Sequence, residues 1–199
     1  MNEMSTTTEM GGIKYQVYEE VYPPSEDTML LLACVTNYPE NALEVCCGAG
    51  LISLKLAKGG TRVIATDVDQ KACMNTNHNA KINGLNHEIS VIRMDLCSGL
   101  RGKFDAIYCN PPYLPFDDNV QEDKWWYGGQ NGANKTCKLI EQSKNLIRGG
   151  GFIMIVTSSL SNIEKIQKAL NLGGFVIELV GRRKFGIEEI SIIKGFKIY

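Results

Sequence analysis

From residue 42 onward the chain switches back and forth between two periods. Short runs rich in aliphatic and β-branched residues at 42–46, 61–66, 89–93, 104–109 and 152–157 read as buried strands. Stretches with helical spacing at 51–58, 70–82, 135–147 and 162–172 lie between and after them. Gly59-Gly60, Asn83-Gly84 and Gly149-Gly150-Gly151 supply the expected helix stops. Two further strands, 175–184 and 190–196, close the chain. Too few residues separate that pair for a helical crossover, so they must be antiparallel. Upstream, residues 1–12 read as a flexible tail and 13–18 as a short strand that packs on the body. A helix starts at Ser25 as N-cap, with Glu26 and Asp27 in its first turn, and runs to about Tyr38, where Pro39 stops it. Strands alternating with helices predict an α/β protein with a doubly wound, mostly parallel sheet that ends in an antiparallel hairpin. The expected organisation is one domain over 13–199.

Composition narrows the possibilities without changing that picture. A chain of 199 residues with 44% hydrophobic residues can bury a sizeable core. The formal net charge of −1 argues against broad nucleic-acid binding, which needs a basic face. The cluster Arg182-Arg183-Lys184 reads as a solvated hairpin tip. The seven cysteines include the adjacent pair Cys46-Cys47 and no CxxC spacing, and only His78 and His87 are available beside them, so no metal site is expected. Reduced thiols, an acidic and polar N-terminus, and no apolar run near the ~20 residues of a membrane span predict a soluble, cytoplasmic protein with no membrane association.

The candidate chemistry sits where strands should end. Asn110-Pro111-Pro112-Tyr113 follows the run 104–109, and two prolines cannot continue a ladder. Asn110 precedes a proline and is pushed to extended backbone, which fixes where its amide points. A rigid, amide-bearing turn at the carboxyl end of a strand is where open α/β sheets place their chemistry. It reads as a claw that accepts hydrogen bonds from a substrate –NH2, with Tyr113 packing on a planar group. The bland alternative is a strand stopped by proline. After the run 42–46 comes a glycine turn, Cys47-Gly48-Ala49-Gly50, in which backbone N–H groups can approach a ligand. Asp67, at the end of the next strand, is placed to accept ribose hydroxyls. Asp95, after the third, is placed to accept an exocyclic adenine amine, with the Leu96 N–H beside it. This spacing also suits a nicotinamide dinucleotide, but only S-adenosylmethionine gives the Asn110 claw a purpose.

Taken together, these pieces resemble the HemK-like protein glutamine methyltransferases over residues 22–198. Tyr22-Pro23-Pro24-Ser25-Glu26-Asp27-Thr28 is similar to that family's Y-x-P-x-E-D-T lead-in. Glu44 to Gly50 resembles its E-x-G-x-G-x-G turn, Asp67 and Asp95-Leu96 match its acidic positions, and Asn110 to Tyr113 matches its N-P-P-Y. Trp126-Tyr127-Gly128-Gly129-Gln130-Asn131-Gly132 is similar to the W-x-G-G-x-x-G loop that follows. Cys46 stands where the family usually has a glycine. A small cysteine keeps its backbone N–H, so cofactor binding is expected to survive, and the departure speaks against a need for positive φ there. Gly128-Gly129-Gln130 also spells the tripeptide the family methylates, read here as coincidence.

The resemblance implies a class I, Rossmann-like methyltransferase sheet of seven strands. S-adenosyl-L-methionine would be held by Thr28, Glu44, Cys46, Gly48, Gly50, Asp67, Asp95, Leu96 and Asn110. Asn110, Pro111 and Tyr113 would act on the acceptor, the glutamine of a Gly-Gly-Gln motif in a class 1 release factor. Only about 40 residues precede the first sheet strand, which resembles the short archaeal and eukaryotic branch of the family. That branch implies a small zinc-binding activator protein as partner, and the strand 89–93, with no proline, lysine or run of charge, is where it is expected to pair. Two alternatives stay open at this level: adenine-N6 methylation of DNA or RNA through the same N-P-P-Y, and a cofactor-binding subunit without catalysis.

Overall fold

The computed structural model describes residues 6–116 and 126–198. Residues 1–5 of the expected tail, and residues 117–125 of the Asp-, Trp- and Gly-rich segment after the claw, lie outside the described residues. Seven strands form one mostly parallel sheet, and a separate two-stranded hairpin precedes it. The chain divides into two compact units, Met1–Ser98 and Gly99–Tyr199.

In the first unit, β1 (Thr8–Met10) pairs antiparallel with β2 (Ile13–Tyr15) across Gly11 and Gly12, both at positive φ. Residues 8–10 are therefore an ordered hairpin strand within the region expected as tail. Lys58 Nζ donates to the carbonyls of Gly11 and Gly12 at 3.2 and 2.8 Å and pins the turn. Then follow α1 (Glu26–Cys34), β3 (Asn41–Val45), α2 (Leu51–Lys58), β4 (Arg62–Asp67), α3 (Gln70–Ile82) and β5 (Ile89–Arg93). The order β5-β4-β3 is parallel throughout, with Val63 opposite Ile89 and Ala42 opposite Val63. Ala42, Leu43 and Val45 are fully buried, as befits a strand covered on both faces.

Helix α1 ends at Cys34, short of the Tyr38 expected from the position of Pro39. Val35 leaves the helix with ψ 92 and is buried, so core packing overrides the helical pattern before proline is reached. Tyr38 lies instead against Gly59, where any Cβ would collide with its ring.

The second unit holds β6 (Phe104–Cys109), α4 (Asn134–Ser143), β7 (Ile147–Ser158), α5 (Ile163–Leu172), β8 (Phe175–Phe185) and β9 (Glu188–Lys197). Here β6 and β7 are parallel, and β7-β9-β8 are antiparallel, which is the expected closing hairpin with longer arms. Gly149, Gly150 and Gly151 do not end a helix. They lie inside β7, where the register slips between Phe104 and Ala106 and Gly150 takes φ 79. The slip lets both Ile147 and Phe152 face β6, while the extra residues bulge outward; a Cβ on Gly151 would meet the Asp105 carbonyl at 2.7 Å. Helix α4 stops at Ser143 because Ile147 is already a sheet residue.

Candidate active site

The glycine turn of the first unit begins where β3 runs out. Cys46 has φ 59, Gly48 φ 53 and Gly50 φ 80. The cysteine in the family's glycine place therefore does adopt left-handed backbone, against the expectation from its side chain. The two glycines are needed for different reasons. A Cβ on Gly50 would strike Thr76 at 2.7 Å, so Gly50 permits close approach of α3. A Cβ on Gly48 would meet nothing nearer than the Tyr22 carbonyl at 4.0 Å, so the turn leaves a cradle on that side.

Asp67, the last residue of β4, accepts from the Gly48 N–H at 3.0 Å through Oδ2 and from the Asp69 N–H at 3.0 Å through Oδ1. A carboxylate offers about four acceptor positions, so these bonds leave it able to accept from a ribose hydroxyl. Burial raises its pKa from the ordinary value, while the backbone N–H groups of Asp69, Gly48 and Val68 hold it down. An open cradle beside Gly48 and a carboxylate with spare acceptor sites fit an adenosyl cofactor. Leu96 is buried with φ 55, and its carbonyl accepts from Thr66 Oγ1 at 2.8 Å; Asp95 next to it is exposed.

Two expected cofactor residues also bond within the protein. Glu44 is buried beneath the turn, and its carboxylate accepts from the Ser53 N–H at 2.9 Å and from the Ser53 hydroxyl. It thus caps the first turn of α2 from a neighbouring strand. Burial lifts its pKa to about 8, against the pull of the Ser53 and Ile52 donors. Thr28 donates its N–H and hydroxyl to Asp27 Oδ1 at 2.6 and 3.2 Å. Within the lead-in, Asp27 is nearly fully buried and accepts from the Tyr22 hydroxyl at 3.0 Å. Ser25 occupies the N-cap position with extended backbone but makes no capping bond through its side chain.

None of the seven cysteines is in a disulfide. Burial pushes the thiols of Cys47, Cys73 and Cys97 up, the last two to about 11, so near neutral pH none of these three supplies a thiolate.

In the second unit, β6 delivers Asn110 directly after the fully buried Cys109, and Pro111 is buried behind it. The segment beyond the prolines is laced to the Trp126–Gly132 loop by main-chain bonds. The Leu114 N–H donates to the Trp126 carbonyl at 2.8 Å, Gly128 N–H to Leu114 at 2.9 Å, and Phe116 N–H to Gly129 at 3.0 Å. The loop's glycines lie flat on the claw: a Cβ on Gly128 would hit the Pro112 carbonyl at 2.5 Å, and one on Gly132 would hit the Tyr113 carbonyl. The Phe116 and Tyr127 rings meet edge to face, centroids 5.7 Å apart. Gln130 is exposed.

A glycine turn and a strand-end acid in a mostly parallel sheet with an antiparallel finish, together with an Asn-Pro-Pro-Tyr turn, define a methyltransferase. The chain belongs to the methyltransferase small domain family, whose model matches residues 25–187. It is 34% identical over 196 residues to a protein of Methanocaldococcus jannaschii assigned as a protein N5-glutamine methyltransferase, covering 96% of this chain and 98% of that one. The eRF1 methyltransferase catalytic subunit mtq2 of Schizosaccharomyces pombe is 24% identical, with 98% of this chain and 97% of that one covered. Among solved structures, the Mtq2-Trm112 complex of E. cuniculi, described as responsible for methylation of the eRF1 termination factor, superposes with a TM-score of 0.71. Its identity is 23%, over 89% of this chain and 98% of that one, which speaks for the fold.

Proposed function

We propose that this chain is an S-adenosylmethionine-dependent protein methyltransferase acting on the glutamine side-chain amide of a Gly-Gly-Gln motif in a class 1 release factor. The observation that carries this reading is the Asn110 turn, set at the end of a buried strand and braced from behind by glycines that admit no side chain. The likeness to N5-glutamine methyltransferases along almost the whole chain supports the choice of acceptor.

An amide nitrogen is a poor nucleophile because its lone pair is delocalised into the carbonyl. The Asn110 side-chain oxygen and the Pro111 carbonyl accept its two hydrogens and fix the direction of that lone pair. Holding reactants in line can supply several kcal/mol, up to ~7–11 in ideal cases. Their partial negative charge also stabilises the positive charge that develops on nitrogen. Tyr113 packs on the plane of the amide. Gly48, Gly50, Asp67, Asp95 and Leu96 would hold the cofactor, with Glu44 and Cys46 shaping the turn and Thr28 joining from the lead-in. Bound there, S-adenosylmethionine supplies a methyl group on a sulfonium, whose C–S bond breaks as the N–C bond forms. The surplus proton leaves the nitrogen for solvent afterwards, so no general base is required.

Labelled cofactor offered with a release factor and an oligonucleotide side by side tests the acceptor. Label is expected in the factor only, and label in adenine would replace this reading with nucleic-acid methylation. In the same assay Asn110→Ala should abolish transfer while leaving cofactor affinity and Tm near the parent's. Asp67→Ala should weaken affinity at least ~tenfold, the loss of a charge-assisted hydrogen bond.

We further propose a cytoplasmic setting and a small zinc-binding activator that adds a strand to β5. That strand ends the sheet, and among the described residues only β4 pairs with it. The Met94 N–H donates to Asp67 and the Glu88 carbonyl accepts from Val63, so even-numbered residues face β4 and the Val91 N–H faces outward. Val91→Pro should therefore fold and lose association, whereas Ser90→Pro should damage the sheet. A purified chain that is monodisperse and fully active alone would remove the need for the partner.

A further inference from the structure

Asn75, Asn79 and Asn83 recur at i, i+4 and i+8, which places them on one face of α3 and its C-terminal cap. Each bonds the main chain of the segment 14–18, which begins within β2 and continues past it. Tyr18 N–H donates to Asn75 Oδ1 at 2.8 Å, Gln16 N–H to Asn79 Oδ1 at 2.9 Å, and Lys14 N–H to Asn83 Oδ1 at 3.0 Å. The amide groups answer: Asn75 and Asn79 donate to the Gln16 carbonyl at 2.8 and 2.9 Å, and Asn83 donates to Lys14 at 2.6 Å. Four helical residues rise ~6.0 Å, and two extended residues span ~6.6 Å, so the rungs stay in step. The helix acts as a strand edge made of side chains.

The same face reaches the glycine turn. Asn79 Nδ2 donates its second hydrogen to the Ala49 carbonyl at 2.8 Å, and Thr76 Oγ1 donates to the Gly48 carbonyl at 2.9 Å. Asn75, Thr76 and Asn79 are all completely buried. In a planar trans peptide the carbonyl and the following N–H point in opposite directions. Thr76, by holding the Gly48 carbonyl towards α3, turns the Ala49 N–H away from it. That N–H belongs to a residue 4% exposed and meets no acceptor among the described residues. A buried backbone donor is rarely left without a partner, so this one is available to a ligand.

We infer that Thr76 and Asn79 are positioning residues of the cofactor turn, and that Asn79 couples docking of the 14–18 strap to cofactor binding. This rests on the turn being the S-adenosylmethionine site proposed above. Coupling of this kind is reciprocal. Binding should slow amide exchange at Gln16 and Tyr18, and loosening the strap should weaken binding.

Calorimetry with S-adenosylmethionine on the full chain tests it with Thr76→Val, Thr76→Ser, Asn79→Asp and Gln16→Pro, the last removing a strap donor while leaving α3 intact. Thr76→Val should raise Kd about tenfold, in line with loss of one oriented donor, and Thr76→Ser should restore it to within about twofold. Gln16→Pro and Asn79→Asp should raise Kd several-fold, with kcat at saturating cofactor near the parent's and KM for the acceptor unchanged. If Tm falls in these variants while every Kd stays within about twofold of the parent, α3 is scaffold only and the inference is overturned. A parent that binds no cofactor would sink the proposed function. The coupling is then read by exchange alone: Asn79→Asp must deprotect both Gln16 and Gly50, and protection of Gly50 that ignores the strap overturns it.

Discussion

The two loops that would meet the reactants are held still by opposite means. The Cys46–Gly50 turn is braced by side chains: Glu44 through Ser53 on one flank, Thr76 and Asn79 on the other, and Asp67 on Gly48. The Asn110 turn is braced by main chain, with Leu114 and Phe116 bonded to Trp126, Gly128 and Gly129, and glycines where side chains would intrude. Braces made of side chains can be trimmed or retuned one at a time. Braces made of backbone contact have nothing to trim, and the only possible change is to add atoms. Substitutions should therefore be graded in the first loop and all-or-none in the second.

The largest effect expected is at the second loop. Gly132→Ala places a methyl group against the Tyr113 carbonyl and Ser161, so the claw must shift. A displacement of ~1 Å can cost about a hundredfold in rate, and transfer should fall at least that far while cofactor affinity stays within about twofold. Retained turnover would show that the claw tolerates movement and would erase the contrast.

Glu44 gives an intermediate effect with a definite sign. Its folded pKa of about 8 lies above the ordinary 4.5, so between those values the folded chain binds more protons than the unfolded one. Stability from this group is fully present below about pH 4.5 and is lost as pH rises through about 8. Melting temperatures compared at pH 6 and pH 8.5 should drop by a few degrees in the parent, and Glu44→Gln should flatten that slope. An unchanged slope would mean that the carboxyl is not protonated beneath the turn.

The smallest effect concerns Cys46. A non-glycine residue held at φ 59 stores on the order of 1 kcal/mol of strain. Cys46→Gly relieves it but frees the unfolded chain, so Tm should move by no more than about 2–4 °C. Cofactor affinity should stay near the parent's, and a large loss would make the thiol itself a binding group.

The pattern of periods was enough to place the parallel strands and the closing hairpin, because strands buried on both faces leave long apolar runs, whereas the partner edge at β5 came from the family resemblance. What stayed hidden has specific causes. Gly149-Gly150-Gly151 serves a bulge as readily as a helix stop, and only the pairing of Ile147 with Phe104 decides between them. The strand-end places of Asn110 and Asp67 and the glycine turn at Gly48 and Gly50 were legible because special backbone and strand ends leave marks in sequence. The bonds from Ser53 to Glu44 were hidden because a buried acid beside a glycine turn has the same composition whether it faces a cofactor, a helix end or both. The asparagines of α3 were missed although Asn75, Asn79 and Asn83 stand four apart. Asparagine is a poor helix former, and three of them on one stripe signal a partner that needs amides.

The two outer strands of the sheet differ in one further way. Strand β5 is five residues long and carries no lysine or proline, whereas β8 is eleven residues long and carries Arg182, Arg183 and Lys184 near its end. Two open edges on one sheet would let identical copies add head to tail, a contact that does not close and so grows into fibres. A guarded edge opposite an open one permits one addition and then stops. Charges such as the basic trio on β8 are one device that keeps an edge from pairing, so neutralising Arg182, Arg183 and Lys184 should increase self-association of the chain, read by light scattering.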